Sequence, residues 1–309
     1  MSAASAGRRR ARRGRWPLTS IVVAASLASV EARAQVGDSL ASASVEIYPY
    51  ARNTDDPRMQ VRLQIYRANV GLPIRLSQQT MLLAGLSYEQ LNVDLRGDTS
   101  AGAPTFRSPA ASFGVVQRVG SRFTVIAIAG AGLASDFSDP VSSDDLLLSA
   151  TGIFIYKVSD ALSLGAGVVF DRRTGSPTPL PAMSVNWRIS HDVRLRGFVP
   201  ARLDAELRAS RWLTGGIRAA FNGNRYQLGE AKYGISDQQI AYSTLTVGPK
   251  LTFSASDWIH LDLYATTAVY RRYDIRQDQE DAGGLSLAPA VAWGVRFWFG
   301  PALWEPPKW

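Results

Sequence analysis

The chain has 309 residues, no cysteine and a formal net charge of +8. The missing cysteine excludes disulfides, thiolate metal sites, a cysteine nucleophile and the acylated cysteine of lipoproteins. Seven of the 34 basic residues, but only one of the 26 acidic residues, lie within the first 34 positions. The remainder is therefore close to neutral, and the high charge does not indicate a nucleic-acid partner.

The first 34 residues are typical of an export signal. An arginine-rich start is followed by an apolar stretch from Trp16 to Val30, and Ala32-Arg33-Ala34 has the small residues of a cleavage site. The apolar stretch is shorter than the roughly 20 residues that a membrane-spanning helix needs. We predict residues 1–34 to be a signal peptide cleaved near Ala34, with a short segment, 35–41, before the first strand.

From Gln60 to Phe299 the sequence repeats one unit, in which alternating apolar and polar residues are followed by a turn. Tight turns, such as Ser159-Asp160, alternate along the chain with longer connections, such as Ser135 to Asp145. This alternation predicts an all-β fold, an antiparallel up-and-down transmembrane β-barrel with two unlike ends, followed by a tail, 300–309. We predict about 14 strands, at 42–51, 59–76, 80–95, 108–119, 123–134, 146–158, 161–173, 180–189, 193–199, 201–209, 212–227, 239–254, 258–274 and 286–299. If the two short segments around Pro200 form one irregular strand, the even number becomes 12.

Within the strands, one face is apolar and the other carries charge. Val61, Leu63 and Ile65 alternate with Arg62 and Gln64, and strands near the C-terminus have the same pattern. A soluble sandwich would show this alternation too, so the pattern alone leaves both folds open. The export signal, the absence of cysteine and the alternating turn lengths favour a barrel with its apolar face toward lipid.

Aromatic residues cluster near the tight turns, where a membrane interface would lie. The belt candidates are Phe123, Trp187, Trp212, Trp258 and Trp298. Strand propensity alone also enriches aromatic residues. Since Trp212, Trp258 and Trp298 fall on the polar face, some of them are expected to fill the mouth of the lumen instead.

Charged residues on the inward face provide the main functional hypothesis. The candidates that line the lumen are Arg194, Arg196, Arg202, Asp204, Glu206, Arg208, Arg218, Lys250, Asp262 and Arg296. In a water-filled pore such side chains set selectivity, and the excess of arginine would favour anions. The alternative is that they pair across a narrow lumen and close it.

Enzymatic chemistry has little support in the sequence. Ser190-His191-Asp192 are consecutive and cannot converge as a triad does, so we interpret them as a polar turn. His260 and Asp262 share a strand face and are expected to form a hydrogen-bonded pair in the lumen rather than a catalytic dyad. Two distant histidines and scattered carboxylates do not supply a set of metal ligands, and we expect no cofactor.

The chain resembles bacterial outer-membrane β-barrel proteins over nearly all of residues 42–299. The runs from Val70 to Ser77 and from Leu82 to Leu91, and the corner from Phe198 to Ala201, are similar to an uncharacterised family catalogued only as a domain of unknown function. The resemblance implies a fold and a location but no substrate. The chain departs from many such proteins because it continues beyond the strand that ends near Phe299.

From these observations we expect a passive channel or transporter for small solutes in the outer membrane of a Gram-negative-type bacterium. Its expected partners are outer-membrane lipid, lipopolysaccharide and the machinery for export and barrel assembly. One alternative is a lipid-modifying or proteolytic barrel enzyme, which would need Ser, His and an acid near the ends with long loops. The other is a non-conducting structural or assembly barrel, expected if the inward charges form closed ion pairs.

Overall fold

A computed structural model of the chain describes residues 39–96, 104–171, 179–229, 238–277 and 280–301. The predicted signal peptide lies outside the described residues, as do most of the C-terminal tail and four internal segments, 97–103, 172–178, 230–237 and 278–279. Among the described residues, none forms a helix of the length and hydrophobicity needed to cross a membrane.

The described residues form a single closed antiparallel sheet. Consecutive strands pair from β1 to β14, and β15 pairs with β13 on one side and with β1 on the other to complete the ring. The strands are β1 (Ala41–Arg52), β2 (Gln60–Arg75), β3 (Thr80–Arg96), β4 (Thr105–Val119), β5 (Phe123–Leu133), β6 (Leu146–Lys157), β7 (Leu162–Asp171), β8 (Pro179–Arg188), β9 (Val193–Val199), β10 (Arg202–Arg208), β11 (Leu213–Gln227), β12 (Gln238–Ser254), β13 (Ile259–Gln277), β14 (Glu280–Ser286) and β15 (Ala290–Phe299).

The wall of the barrel has 14 strand positions, as the sequence predicted. The short strands β14 and β15 follow each other along the same side of β13, so together they occupy one position. The two short strands around Pro200 are separate, because β9 and β10 pair in antiparallel register from Leu207↔Val193 to Arg202↔Phe198. The 12-strand alternative is therefore wrong.

The tight turns are at one end of the barrel, which we call the short-turn end, and the longer connections are at the other, the long-loop end. Five of the tight turns share one device, a serine whose hydroxyl accepts hydrogen bonds from the backbone N–H groups two and three residues ahead. These serines are Ser77, Ser159, Ser190, Ser210 and Ser256. Ser190 therefore caps a turn, and the predicted polar turn at residues 190–192 is confirmed.

The apolar side chains point outward in one half of the barrel and inward in the other, and β2 shows where this change occurs. In the half toward the short-turn end, Val70 and Leu72 point outward and are 59% and 58% exposed. Toward the long-loop end, Val61, Leu63 and Ile65 point inward and are buried. The expectation that these three residues face lipid is wrong, because alternation fixes two faces but not which face points inward.

A buried apolar cluster fills the long-loop half. Leu91 and Val93 of β3 pair with the inward residues of β2, and aromatic side chains from the opposite wall complete the packing. The cluster consists of Tyr48, Ala51, Val61, Leu63, Ile65, Leu91, Val93, Phe106, Ala134, Leu147, Tyr226, Tyr242, Ala268, Tyr273, Leu287 and Ala292. The interior of this half is therefore packed like the core of a soluble protein, while its outward positions carry Arg62, Gln64 and similar polar residues.

Candidate functional site

The candidate site is the lumen, which the end of β11 divides. Up to Ala220, β11 is an ordinary wall strand that pairs with β10 from Thr214 onward. The N–H of Phe221 donates to the carbonyl of Ala201 at 2.8 Å, and beyond this point β10 has ended. The last six residues of β11, 222–227, therefore do not pair with β10.

Beyond Phe221, β11 lies inside the barrel rather than in its wall. Phe221 has the outward register, yet it is buried against Val169, Ala182 and Phe198, which are inward residues of β7, β8 and β9. On the other face of the strand, the ring of Tyr226 stacks on Phe106 with 5.0 Å between centroids. Both faces of this segment are covered by inner-wall residues, so the segment is a partition across the lumen.

The end of the partition is attached to the opposite side of the barrel. The N–H of Gln227 donates to the carbonyl of Ala134 at 3.0 Å, and the N–H of Asp136 donates to the carbonyl of Gln227 at 3.2 Å. The N–H of Gly229 donates to the carboxylate of Asp136 at 3.2 Å. These bonds join the end of β11 to the connection between β5 and β6, so we call residues 221–229 the β11 partition.

The partition leaves a notch in the wall between β8 and β11. Backbone hydrogen bonds of β8 alternate between its two neighbours. The N–H of Arg188 donates toward β7, to the carbonyl of Ala161, and the N–H of Ile189 donates toward β9, to the carbonyl of Val193. By the same alternation, Pro179 and Pro181 direct their nitrogens toward the notch. Proline nitrogen carries no hydrogen, so this edge of β8 has no unsatisfied donors at those two positions.

An ion-pair network fills the lumen beside the partition, on the inner faces of β9 to β15. Asp204 lies near its centre, with its Oδ1 3.0 Å from Arg218 Nε and its Oδ2 2.6 Å from Arg202 Nε. Lys250 Nζ is 2.5 Å from Glu206 Oε1. Because these side chains are almost fully buried, each charge depends on its partners for solvation.

The network continues through Asp262 to the short-turn end. Asp262 Oδ2 lies 3.6 Å from Arg218 Nη2 and 3.9 Å from Arg296 Nη1, and its Oδ1 accepts hydrogen bonds from Thr252 and from Trp298. Arg196 Nε is 3.1 Å from Glu206 Oε2. Eight of the ten predicted lumen residues thus meet in one network.

The other two predicted lumen residues lie near the short-turn end. Arg194 and Arg208 occupy inward positions of β9 and β10 and are only partly buried. Arg194 donates to the side chain of Asn186 at 3.0 Å. On β5 and β6, a few strands away around the same end, the inward side chains of Ile126, Ile153 and Ile155 are also partly buried, so this end of the lumen is a vestibule with a charged wall and an apolar wall.

A second charged cluster, which the sequence reasoning missed, lies on β1, β2 and β3. Arg67 Nη1 is 3.1 Å from Glu46 Oε1, and its Nε is 2.7 Å from Glu89 Oε2. Glu89 also accepts hydrogen bonds from Tyr226 and Asn224 of the partition. These charged residues lie between the stretch of each strand whose apolar residues point inward and the stretch whose apolar residues point outward. That position was the sequence signal from which the cluster could have been predicted.

A cavity of about 10 Å³ separates the two clusters, and its lining includes Glu46, Arg218 and Asn222. A cavity of this size has room for about one water molecule. The Oδ1 of Asn222 is buried and has no hydrogen-bond partner. Between the two clusters, the described side chains therefore leave little free space in the lumen.

The five belt candidates occupy two different environments. Phe123, Trp187, Trp212 and Trp258 are exposed on the outside of the barrel near the short-turn end. Trp298 instead points inward and is 2% exposed, because its position on β15 has the inward register. Its ring stacks on that of His260 at 3.8 Å.

The two histidines have surroundings that do not suggest catalysis. His260 Nδ1 is 2.8 Å from the hydroxyl of Ser254 and its Nε2 is 3.3 Å from the carbonyl of Gly300, so neither of these contacts involves Asp262. His191 is exposed in its turn. In the part of the chain that the structure describes, no three His, Asp or Glu side chains converge as a metal site requires.

Comparison with known proteins identifies the family. Residues 110–281 match the family described as "Domain of unknown function (DUF6268)". The chain belongs to this family. The match runs from β4 into β14 and includes the partition, the Pro200 corner and most of the ion-pair network. The family resemblance expected from the sequence is confirmed, and no curated protein matches the chain.

Solved barrels of low sequence identity are also similar to this member of the DUF6268 family. The COG4313 outer membrane channel from Pseudomonas putida F1 is 8% identical, over 83% of this chain and 94% of that chain, with a TM-score of 0.43. The Pseudomonas putida toluene transporter TodX is 10% identical, over 90% and 93%, with a TM-score of 0.40. LpxR from Salmonella typhimurium is 7% identical, over 84% and 100%, with a TM-score of 0.34. At these values the likeness carries no inference about cargo or chemistry.

Proposed function

We propose that this protein is a passive channel for small solutes in the bacterial outer membrane and that the described structure is its closed state. The outer surface of the short-turn half supports the location, because it combines an apolar band with a row of aromatic residues near the tight turns. In this arrangement the short-turn end faces the periplasm. The polar exterior of the long-loop half projects beyond the lipid, where lipopolysaccharide would surround its base.

The β11 partition is the observation that carries the proposal. A barrel in lipid normally satisfies its backbone groups by pairing every wall strand along its full length. Here β11 stays paired with β12 but has no pairing with β10 beyond Phe221, where it lies across the lumen. A barrel with only a structural role gains nothing from this arrangement, whereas a channel gains a movable barrier.

The vestibule at the short-turn end supports a small amphipathic solute. One wall presents Arg194 and Arg208, and the other presents Ile126 and Ile155. Such a pair of walls suits a solute with an apolar body and a polar or anionic group. Movement of the β11 partition out of the lumen toward the wall would open a path from this vestibule toward the long-loop end.

A disulfide that fixes the partition tests the proposal. Ser135 and Gln227 are bridge partners, so a Ser135→Cys/Gln227→Cys pair has geometry suitable for a disulfide, and no native cysteine interferes. In planar bilayers the reduced double variant should show discrete conductance steps, and the oxidised one should show few or none. The matched control is Ala166→Cys/Met183→Cys, which links β7 to β8 on the exposed outer face of the wall and should conduct in both states.

The non-conducting barrel is a second candidate, favoured by the closed ion pairs around Asp204 and Asp262. It predicts a correctly folded wild-type protein without conductance steps under any voltage. That result would refute the channel. Equal conductance of the oxidised and reduced Ser135→Cys/Gln227→Cys variant would refute only the role given to the partition.

A further inference from the structure

Arg271 is a buried arginine that a β-bulge turns into the barrel. The register between β12 and β13 changes from Thr246↔Ala268 to Leu245↔Tyr270, so Val269 is an extra residue on β13. Without this bulge, strict alternation would place Arg271 on the same face as Leu261 and Leu263, toward lipid. Bulges are known to redirect side chains next to functional sites.

The guanidinium of Arg271 lacks the partners that other buried charges have. The residue is 2% exposed, and its Nε, Nη1 and Nη2 atoms have no hydrogen-bond partner. Among the residues that the structure describes, no carboxylate forms an ion pair with it. Its neighbours are aromatic: it lies 5.5 Å from the ring centroid of Tyr48, and the hydroxyl of Tyr273 interacts with it at a geometry short of a hydrogen bond.

The interior as a whole also has fewer buried carboxylates than buried cations. Among the side chains that the structure describes, the inward charged residues of the strands that are at most 13% exposed comprise seven cations and five carboxylates. The cations are Arg67, Arg196, Arg202, Arg218, Lys250, Arg271 and Arg296, and the carboxylates are Glu46, Glu89, Asp204, Glu206 and Asp262. Two further buried acids, Asp136 and Asp145, lie outside the strands and accept hydrogen bonds from backbone N–H groups at the long-loop end.

A buried cation without a counterion is strongly destabilising, and a guanidinium with a free planar fork matches a carboxylate in geometry. We propose that Arg271 is the anion-binding residue of a site for a small organic carboxylate, located where the charged lumen meets the apolar cluster. The surrounding rings of Tyr48, Tyr242 and Tyr273 would contact the apolar body of the ligand. A phosphate fits less well, because its additional oxygens would need donors that this aromatic environment does not provide.

This inference goes beyond the proposed function and holds whether or not the barrel conducts. Binding is therefore measured directly, with the refolded full chain in detergent, by ligand-observed NMR and by the shift in thermal unfolding. The probes are benzoate, its neutral analogue benzamide, and inorganic phosphate. Benzoate should bind and raise the unfolding temperature in a concentration-dependent manner, and the other two should not.

Variants of two adjacent arginines isolate the role of the Arg271 guanidinium. Arg271→Met, which keeps the length of the side chain without its charge, should weaken benzoate binding at least about tenfold. Arg272→Met is the matched control, because Arg272 is already paired with Asp274 at 2.6 Å, and benzoate should bind it as it binds the wild type. If Arg271→Met fails to fold, Arg271→Lys keeps the charge without the fork and should also weaken binding.

Absence of benzoate binding to the folded wild type would overturn the proposal. Binding that Arg271→Met leaves unchanged, or that benzamide or phosphate reproduces equally, would overturn it as well. A purely structural arginine predicts a different pattern, in which no probe binds and Arg271→Met raises the unfolding temperature by removing a buried charge.

Discussion

Gln227, at the end of β11, forms a parallel bridge with Ser135, at the end of β5, although five strands separate β5 from β11 around the barrel. This contact shortens the ring at the long-loop end, where strands β6 to β10 are bypassed. The interior is thereby divided into an apolar cluster, an ion-pair network and a vestibule. Each division leads to an expectation that can be measured.

The reversal of polarity along β2 predicts two environments on one outward face. Single-cysteine variants Gln64→Cys and Leu72→Cys would carry a nitroxide label, and the chain has no other cysteine. The label at residue 72 should be accessible to oxygen dissolved in lipid, and the label at residue 64 should be accessible to a water-soluble relaxation agent. Lipid-like accessibility at both positions would contradict the assignment of the long-loop half to water.

The apolar cluster should behave as a packed core. Leu63→Ala removes a fully buried side chain and should lower the free energy of unfolding by about 2–5 kcal/mol. Leu72→Ala, on the exposed outer face of the same strand, is the control and should cost less. Denaturant unfolding of the refolded barrel in vesicles measures both, and equal losses would argue against a packed interior.

Asp204 should be the carboxylate on which the ion-pair network depends most. Asp204→Asn leaves Arg202, Arg218 and Lys250 short of counter-charge in a buried environment, and we expect a loss of about 3–5 kcal/mol. Asp160→Asn, in an exposed turn beside Lys157, should leave stability unchanged. Unfolding midpoints of the two variants provide the comparison, and similar midpoints would contradict the role of Asp204.

Two tryptophans on β15 should report opposite sides of the wall. Trp293 points outward and is 51% exposed, whereas Trp298 is buried beside His260. In vesicles of brominated lipid, Trp293→Phe should remove a quenched component of the fluorescence, and Trp298→Phe should remove a protected one. If Trp298→Phe removed the quenched component, Trp298 would belong to the aromatic belt after all.

The charge of the vestibule should set ion preference if the barrel conducts. Arg194 is one of the two partly exposed arginines of this region, so Arg194→Glu should shift the reversal potential in a salt gradient toward cations. Arg211→Glu, in an exposed turn where the arginine covers the ring of Trp212, is a control at the same end. Unaltered selectivity in Arg194→Glu would remove this residue from the conducting path.

The sequence predicted the strands and the alternating ends because both depend on local patterns. Turn residues such as Ser190 and Ser210 act within three positions, and alternation in β13 and β15 follows from strand geometry. Around Pro200 the sequence left two possibilities, a pair of short strands or one irregular strand. Two seven-residue strands are too short for their periodicity to decide between them.

The features that were not predicted depend on contacts between distant residues. Val61, Leu63 and Ile65 alternate in the same way whether they face lipid or a core, and only packing against Tyr226 and other partition residues decides the direction. Arg271 escaped notice because one extra residue, Val269, reverses the register behind it. An arginine on the expected lipid face was a usable warning, because such a position is unfavourable.

Pro179 and Pro181 have a consequence for the behaviour of this protein among its neighbours. An open strand edge can be extended by a strand from another molecule, and such additions lead to aggregates. An edge that lacks two successive donors on its open side cannot continue a ladder there. The two prolines therefore let the barrel keep a discontinuous wall during folding and insertion without offering it as a template for other chains.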